Sequence, residues 1–182
     1  RHIRVVLTDG DGGTSENNGT TMTVAAVNDA PVLDATRTPV LQSVSEHAGA
    51  PSGAVGTLVS SLVDFATPSG QVDNVTDVDS GATTGIAITA TNAIYGTWWY
   101  STNNGTTWLR IGNVDNSSAR LLAADANTRI YFEPTQNNEF SGTISNAITF
   151  RAWDGTSGTN GSIGNTSVNG GTTACLLYTS DA

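Results

Sequence analysis

Asn28 and Asp29 put an amide oxygen and a carboxylate on the segment Val27-Asn28-Asp29-Ala30-Pro31, oxygens of the kind that hold a hard cation. Proline has no N–H to give a sheet and keeps the residue before it extended, so this stretch reads as a stiff joint between two β units. A second acidic stretch, Asp77-Val78-Asp79, lies in a loop expected over residues 73–81. Aromatic chemistry gathers at Trp98, Trp99, Tyr100 and Trp108. Such side chains stack against sugar rings, and they also pack across hairpins. Catalytic chemistry is thin. His2 and His47 have no cysteine or serine elbow near them, and His47 beside Glu46 reads as a solvated histidine. Glu133 and Glu139 flank Pro134 and an Asn-rich stretch, but a glycosidase-like pair needs a cleft that no pattern here supplies. The chain therefore reads as non-catalytic.

Composition bounds the elements that must position these groups. The 182 residues are 37% hydrophobic, enough for a sandwich core, and no apolar run approaches the length of a membrane span. Twenty glycines, much Thr, Ser and Asn, and no lysine leave little material for helices. The expected class is all-β. A formal net charge of -9 argues against nucleic acid and anionic membrane surfaces as partners, since both want basic patches. Acidity of this kind serves solubility as well as cation binding. The one cysteine falls in Cys175-Leu176-Leu177-Tyr178-Thr179-Ser180-Asp181-Ala182, which resembles a translated sequencing-library adapter. This tail, 175–182, is set aside as non-native, and without it disulfides are not the staple. A chain that starts at Arg1 with no methionine or signal peptide reads as a fragment at both ends.

In chain order, residues 3–8 read as a strand, Asp9-Gly10-Asp11-Gly12-Gly13 opens a loop, and the alternation over 20–27 returns as a half-buried strand. Residues 32–44 give an edge-type strand interrupted by Pro39. The apolar stretch 56–65 follows, with a leucine spacing that also suits a short helix. A strand is expected over 85–90 with Ile86 and Ile88 on one face. Residues 96–101 and 106–111 flank Asn103-Asn104-Gly105, and Asn-Gly between aromatic strands predicts a hairpin. Further strands are expected at 120–122, 128–134 and 147–153. The last repeats the first: Trp153-Asp154-Gly155 matches Thr8-Asp9-Gly10 at an offset of 145 residues (154 − 9), as a tandem array would.

Strand, Asp-Gly loop, strand, then Val27-Asn28-Asp29-Ala30-Pro31-Val32-Leu33 resembles the cadherin-like repeats of large bacterial surface proteins. Animal cadherins carry a related linker of the form Asp-x-Asn-Asp-Asn-Pro; here Ala26 stands for its first carboxylate and Ala30 for its last Asn. The resemblance implies an Ig-like Greek-key β-sandwich in a tandem-repeat fragment, with Ca2+ as its cofactor. Residues 1–27 would then be the last hairpin of a preceding incomplete unit, 28–31 the linker, and 32–174 a repeat lacking its final strand. Asp77-Val78-Asp79 looks like the family's Asp-x-Asp loop and Asp154 like the Asp after its penultimate strand. Glu46 resembles the acidic residue that closes the first strand.

In that topology the N-terminus and the loops after the second and sixth strands share one end. Asn28, Asp29, Asp77, Asp79 and Asp154 are expected to meet there, while Glu46 serves the opposite pole. The function the resemblance implies is adhesion: a calcium-stiffened stalk, extracellular, whose partners are neighbouring repeats and surface glycans or other cells. A second reading makes the Trp98, Trp99, Tyr100 and Trp108 hairpin a carbohydrate-binding surface of a secreted enzyme. Residues 101–108 also resemble the Asp-box hairpin of sialidase propellers and other β-proteins, with Asn103 for its Asp, a motif that is structural even there.

Overall fold

The computed structural model describes residues 22–34, 36–37, 39–64, 74–79, 82–135, 140–168 and 178–180. The strand expected at 3–8, Asp9, His2, Glu139 and Cys175 lie outside them. The fold is all-β, with one helical turn among the described residues. Its strands are β1 (Val32–Leu33), β2 (Thr57–Leu58), β3 (Val75–Thr76), β4 (Gly85–Thr91), β5 (Gly96–Ser101) and β6 (Leu109–Arg110). There follow β7 (Ala119–Ala123), β8 (Arg129–Pro134), β9 (Ile148–Trp153), β10 (Ile163–Gly164) and β11 (Tyr178–Ser180). The turn α1 (Ser60–Val63) follows β2.

Two antiparallel sheets pack face to face, one ordered β10-β7-β4-β9-β11 and the other β2-β8-β5-β6, with β1 and β3 pairing separately. The period-2 alternation that marks half-buried strands decides what fills the space between them. Ile86 and Ile88 of β4 and Ile148, Phe150 and Ala152 of β9 face Trp98 and Tyr100 of β5 and Ile130 and Phe132 of β8 in one core. Phe150 is fully buried, a contribution of about 1.5–3 kcal/mol by apolar area alone.

The outer face of the five-stranded sheet carries a second, smaller core of Ala87, Ala119, Leu121 and Trp153. The segment after β9 folds back to cover it: the Trp153 indole donates to the Ser157 carbonyl at 2.9 Å, and Gly161 N–H donates to the Leu121 carbonyl at 2.7 Å. Trp153 therefore anchors the turn that begins at Asp154.

The hairpin forms as its sequence demands. Asn104 and Gly105 both take positive φ, 53° and 82°, which is the two-residue turn that matches strand twist. Pairing of Trp99 with Arg110 and Tyr100 with Leu109 sets its register, although only Leu109–Arg110 of the expected return strand joins the sheet. The helical option over 56–65 is realised in α1, which buries Leu62 and Val63.

Two expected strands differ. Of the edge strand over 32–44, only Val32–Leu33 pairs among the described residues; beyond it Asp34 N–H to the Asn74 carbonyl and Gln42 N–H to Thr57 Oγ1, both at 2.8 Å, tie the segment to the body. The described part of the strand over 20–27 joins none of the described sheets and leaves Met22, Val24 and Val27 66%, 80% and 79% exposed. A strand needs a neighbour to complete its ladder, and no described strand lies beside it. The tail set aside as non-native supplies β11, antiparallel to β9 at the sheet edge.

Candidate functional site: the linker pole

The sheets fix one end of the sandwich. There Gly85, which opens β4, pairs with Trp153 at the end of β9 and with Ala123 at the end of β7. β3 arrives at the same end because Asn74, fully buried, ties it down: its side chain donates to the Leu62 carbonyl at 2.7 Å, and its own carbonyl accepts from Asp34 N–H at 2.8 Å. Asp77 follows β3 directly. Its Oδ1 accepts from Asp79 N–H at 2.8 Å, a local turn that fixes both carboxylates.

The linker docks onto this end. Asn28 donates its side-chain amide to Asp154 Oδ2 at 2.9 Å, and Asp29 donates its backbone N–H to Asp79 Oδ2 at 2.8 Å. The structure thus joins all five residues expected at this pole in one chain of contacts: Asp154, Asn28, Asp29, Asp79 and Asp77. Asp154 is 1% exposed. Besides Asn28, it accepts the backbone N–H of Thr156 at 2.9 Å and the Thr156 hydroxyl at 2.8 Å, both through Oδ1. These donors hold a buried carboxylate that has no cationic side chain paired with it among the described residues.

Among the described residues the ion pairs are Arg37 with Asp34 and His47 with Glu46, so none of Asp29, Asp77, Asp79 and Asp154 is neutralised by a side chain. Asp77 Oδ2 is buried and has no hydrogen-bond partner. A cavity of about 380 Å³ is lined by Asp77 and Asp79 together with Asp64, Thr76 and Thr84. Hard carboxylate and carbonyl oxygens without a cation suit calcium in their chemistry. The spacing is wider than a closed site: no three Asp, Glu, His or Cys side chains among the described residues are grouped as a metal would gather them. Asn28 also turns its amide nitrogen, not its oxygen, toward Asp154.

Glu46 lies elsewhere. It borders a cavity with Tyr95 and Pro134, residues at the start of β5 and the end of β8, which is the opposite end of the sandwich. Its Oε1 is 3.4 Å from His47 Nδ1, and both side chains are largely exposed.

The aromatic residues divide by the alternation of β5. Trp98 and Tyr100 are 4% and 5% exposed in the core, where Trp98 packs at 4.9 Å against Phe132 and donates its indole N–H to the Asn92 carbonyl. Neither offers an outer-surface platform to a sugar ring. Trp99 faces outward, donating to Glu133 Oε2 at 2.8 Å under the Arg110 guanidinium at 5.2 Å. Trp108 meets Tyr131 edge-on at 6.0 Å and donates to the Gly53 carbonyl. Four expected platform residues therefore become two on the outer face, each already engaged. The Asp-box-like turn is structural here too: Asn103 Oδ1 accepts from Thr107 N–H at 2.9 Å and from the Ser101 hydroxyl at 3.0 Å.

Sequence reasoning missed Asp64 and Thr156. Asp64 was hidden at the end of an apolar stretch, and Thr156 signals itself only as the residue two after Asp154, the spacing of an Asx turn.

Comparison of the chain with protein-family models, with curated proteins and with solved structures finds no match. The class that the fold itself defines is an antiparallel all-β sandwich, here with an oxygen-rich pole onto which its own N-terminal segment docks.

Proposed function

We propose that the chain is a non-catalytic repeat module of a secreted bacterial adhesin-type protein, a stalk element whose joint calcium stiffens to support cell adhesion. The observation that carries this reading is the docking of linker residues Asn28 and Asp29 onto Asp154 and Asp79 of the sandwich. Asn28, Asp29, Asp77, Asp79 and Asp154 would hold the ion, with carbonyls and water completing the six to eight oxygens that calcium takes. When bound, calcium supplies charge neutralisation between linker and pole. Without it, like charges brought together repel, most strongly where water is scarce.

The chain's own groups do the rest. Pro31 stiffens the approach, Thr156 and Asn28 orient Asp154, and Asp77 Oδ2 is left unpartnered next to the linker contact. Glu46, at the other end, would serve the joint to the next unit, and neighbouring repeats are the first partners. The extracellular setting follows from this reading.

Calcium titration followed by thermal unfolding tests it. The midpoint should rise at millimolar calcium, and Asp77→Ala or Asp79→Ala should abolish the rise. No shift in the unsubstituted chain sinks the ion-clamped joint. A second reading, a carbohydrate-binding module, draws on the outward placement of Trp99 and Trp108; glycan screening with Trp99→Ala as control decides it.

A further inference from the structure

The pole opposite the linker holds a cavity of about 220 Å³ between the segment 41–46, the end of β8 and residues 140–144. An apolar cavity of about 150 Å³ is enough to hold a benzene ring, so this one has room for a small organic molecule. Its wall is unusually aromatic: Tyr95, Trp98, Tyr131, Phe132 and Phe140 all border it. Tyr95 and Phe140 stack at 4.0 Å with 8° between their planes, and Trp98 and Phe132 lie 4.9 Å apart at 49°. Two rigid aromatic pairs therefore frame the space.

Charge decides what such a space takes. Among the described residues no Lys, Arg or His borders it, and Glu46 is the one carboxylate that does, with a side chain 41% exposed. His47 stands beside Glu46 outside the lining and is charged only when protonated. The polar ends of two rings are already used: Trp98 donates its indole N–H to the Asn92 carbonyl at 2.9 Å and Tyr131 its hydroxyl to the Gly49 carbonyl at 3.1 Å. What these rings leave to a ligand is π surface and not hydrogen-bond donors. An anion finds no cation among the described lining residues, whose polar side chains besides Glu46 and the rings are the neutral Gln42, Ser43 and Ser141. A cation with an apolar body gains from both the rings and the carboxylate. The net charge of -9 adds a long-range field of the same sign.

We infer that this cavity is a binding site for a small organic cation of the quaternary ammonium class, its methyl groups against the rings and its charge facing Glu46. The site is separate from the linker contact at Asp79 and Asp154, and it draws on Glu46, the residue that the proposed function gives to the joint with the next unit.

Choline, titrated into the full chain and followed by tryptophan emission and by ligand-observed NMR, is the probe. Its neutral isostere, with a quaternary carbon in place of the nitrogen, is the comparison. Choline should bind saturably and about tenfold more tightly than the isostere, the ratio expected for a cation–π contribution near the upper part of its range. Glu46→Gln changes an exposed residue and should leave folding intact while weakening choline several-fold and the isostere not at all. Phe140→Leu keeps the apolar bulk and removes the ring, and it too should weaken choline selectively. Absence of saturable binding overturns the proposal. Equal binding of the isostere, or full affinity for choline in Phe140→Leu, overturns it as well, by reducing the site to an ordinary apolar cavity.

Discussion

The side-chain amide of Asn28 donates to the carboxylate of Asp154 at 2.9 Å, linking two residues 126 positions apart. One end of this bond lies on an exposed, extended segment and the other on a carboxylate that is 1% exposed. A hydrogen bond to a charged, buried acceptor is among the stronger kinds, because the alternative leaves that acceptor short of a partner. The contact therefore fixes the direction in which the N-terminal segment leaves the sandwich.

A double-mutant cycle on Asn28→Ala and Asp154→Ala measures the docking. A coupling of about 1–2 kcal/mol is expected in denaturant unfolding. Asp154→Ala alone should cost more than Asn28→Ala, since it also strands the two Thr156 donors. A coupling of zero would mean that the linker contributes nothing to the stability of the pole.

The hairpin turn makes a sharper case. Gly105 has φ +82°, and a Cβ there would run into the backbone carbonyl of Gly53, so both the backbone conformation and the space reject a side chain. Gly105→Ala should destabilise by about 1–3 kcal/mol or more, whereas Asn104→Gly keeps the positive-φ turn and should cost about 0.5–1.5 kcal/mol, the hydrogen bond that Arg129 Nε donates to Asn104 Oδ1 at 2.7 Å. If Gly105→Ala costs nothing, the turn is not built as described.

Trp98 and Trp99 differ by one position and should differ widely in their effect. Trp98→Ala opens a hole in the core and should cost about 3–5 kcal/mol. Trp99→Ala loses a hydrogen bond to Glu133 and a stacked guanidinium on an outer face, and should cost about 1–2 kcal/mol. Equal losses in urea unfolding would contradict the alternation of β5.

That pair also shows what the sequence could tell. Period 2 requires Trp98 and Trp99 to face opposite ways, but which of them enters the core depends on the opposing sheet, through Ile86, Ile88 and Phe150, and no local pattern encodes that. Asn104-Gly105 was legible because its chemistry is local. The meeting of Asn28, Asp29, Asp77, Asp79 and Asp154 was expected only through the strand order that the resemblance implies, which carries those loops to one end. The edge strand over 32–44 was not legible: its apolar residues promise a ladder, yet beyond Leu33 the segment packs Leu41 into the core without pairing. The covering of Trp153 was equally hidden, since it depends on a polar Gly/Ser/Thr/Asn segment folding back over the sheet, where composition suggests only a loop.

Acid should weaken the fold through two exposed turn carboxylates. The Ser117 hydroxyl, then the Ser117 and Ser118 backbone N–H groups, hold the Asp115 carboxyl below the usual carboxylate range. The Thr36 hydroxyl and N–H do the same for Asp34, with help from Arg37. A group whose pKa is lowered by folding lends its stability above the unfolded value and loses it as pH falls toward the folded one. The loss therefore belongs below about pH 4, where an unfolded Asp begins to hold its proton. Thermal midpoints followed from neutral pH into that range should fall. In the Asp34→Asn, Asp115→Asn double variant the midpoint should start lower at neutral pH and fall less steeply, because an amide accepts at one oxygen but does not titrate. An acid limb as steep as that of the unsubstituted chain would assign the transition to other carboxylates.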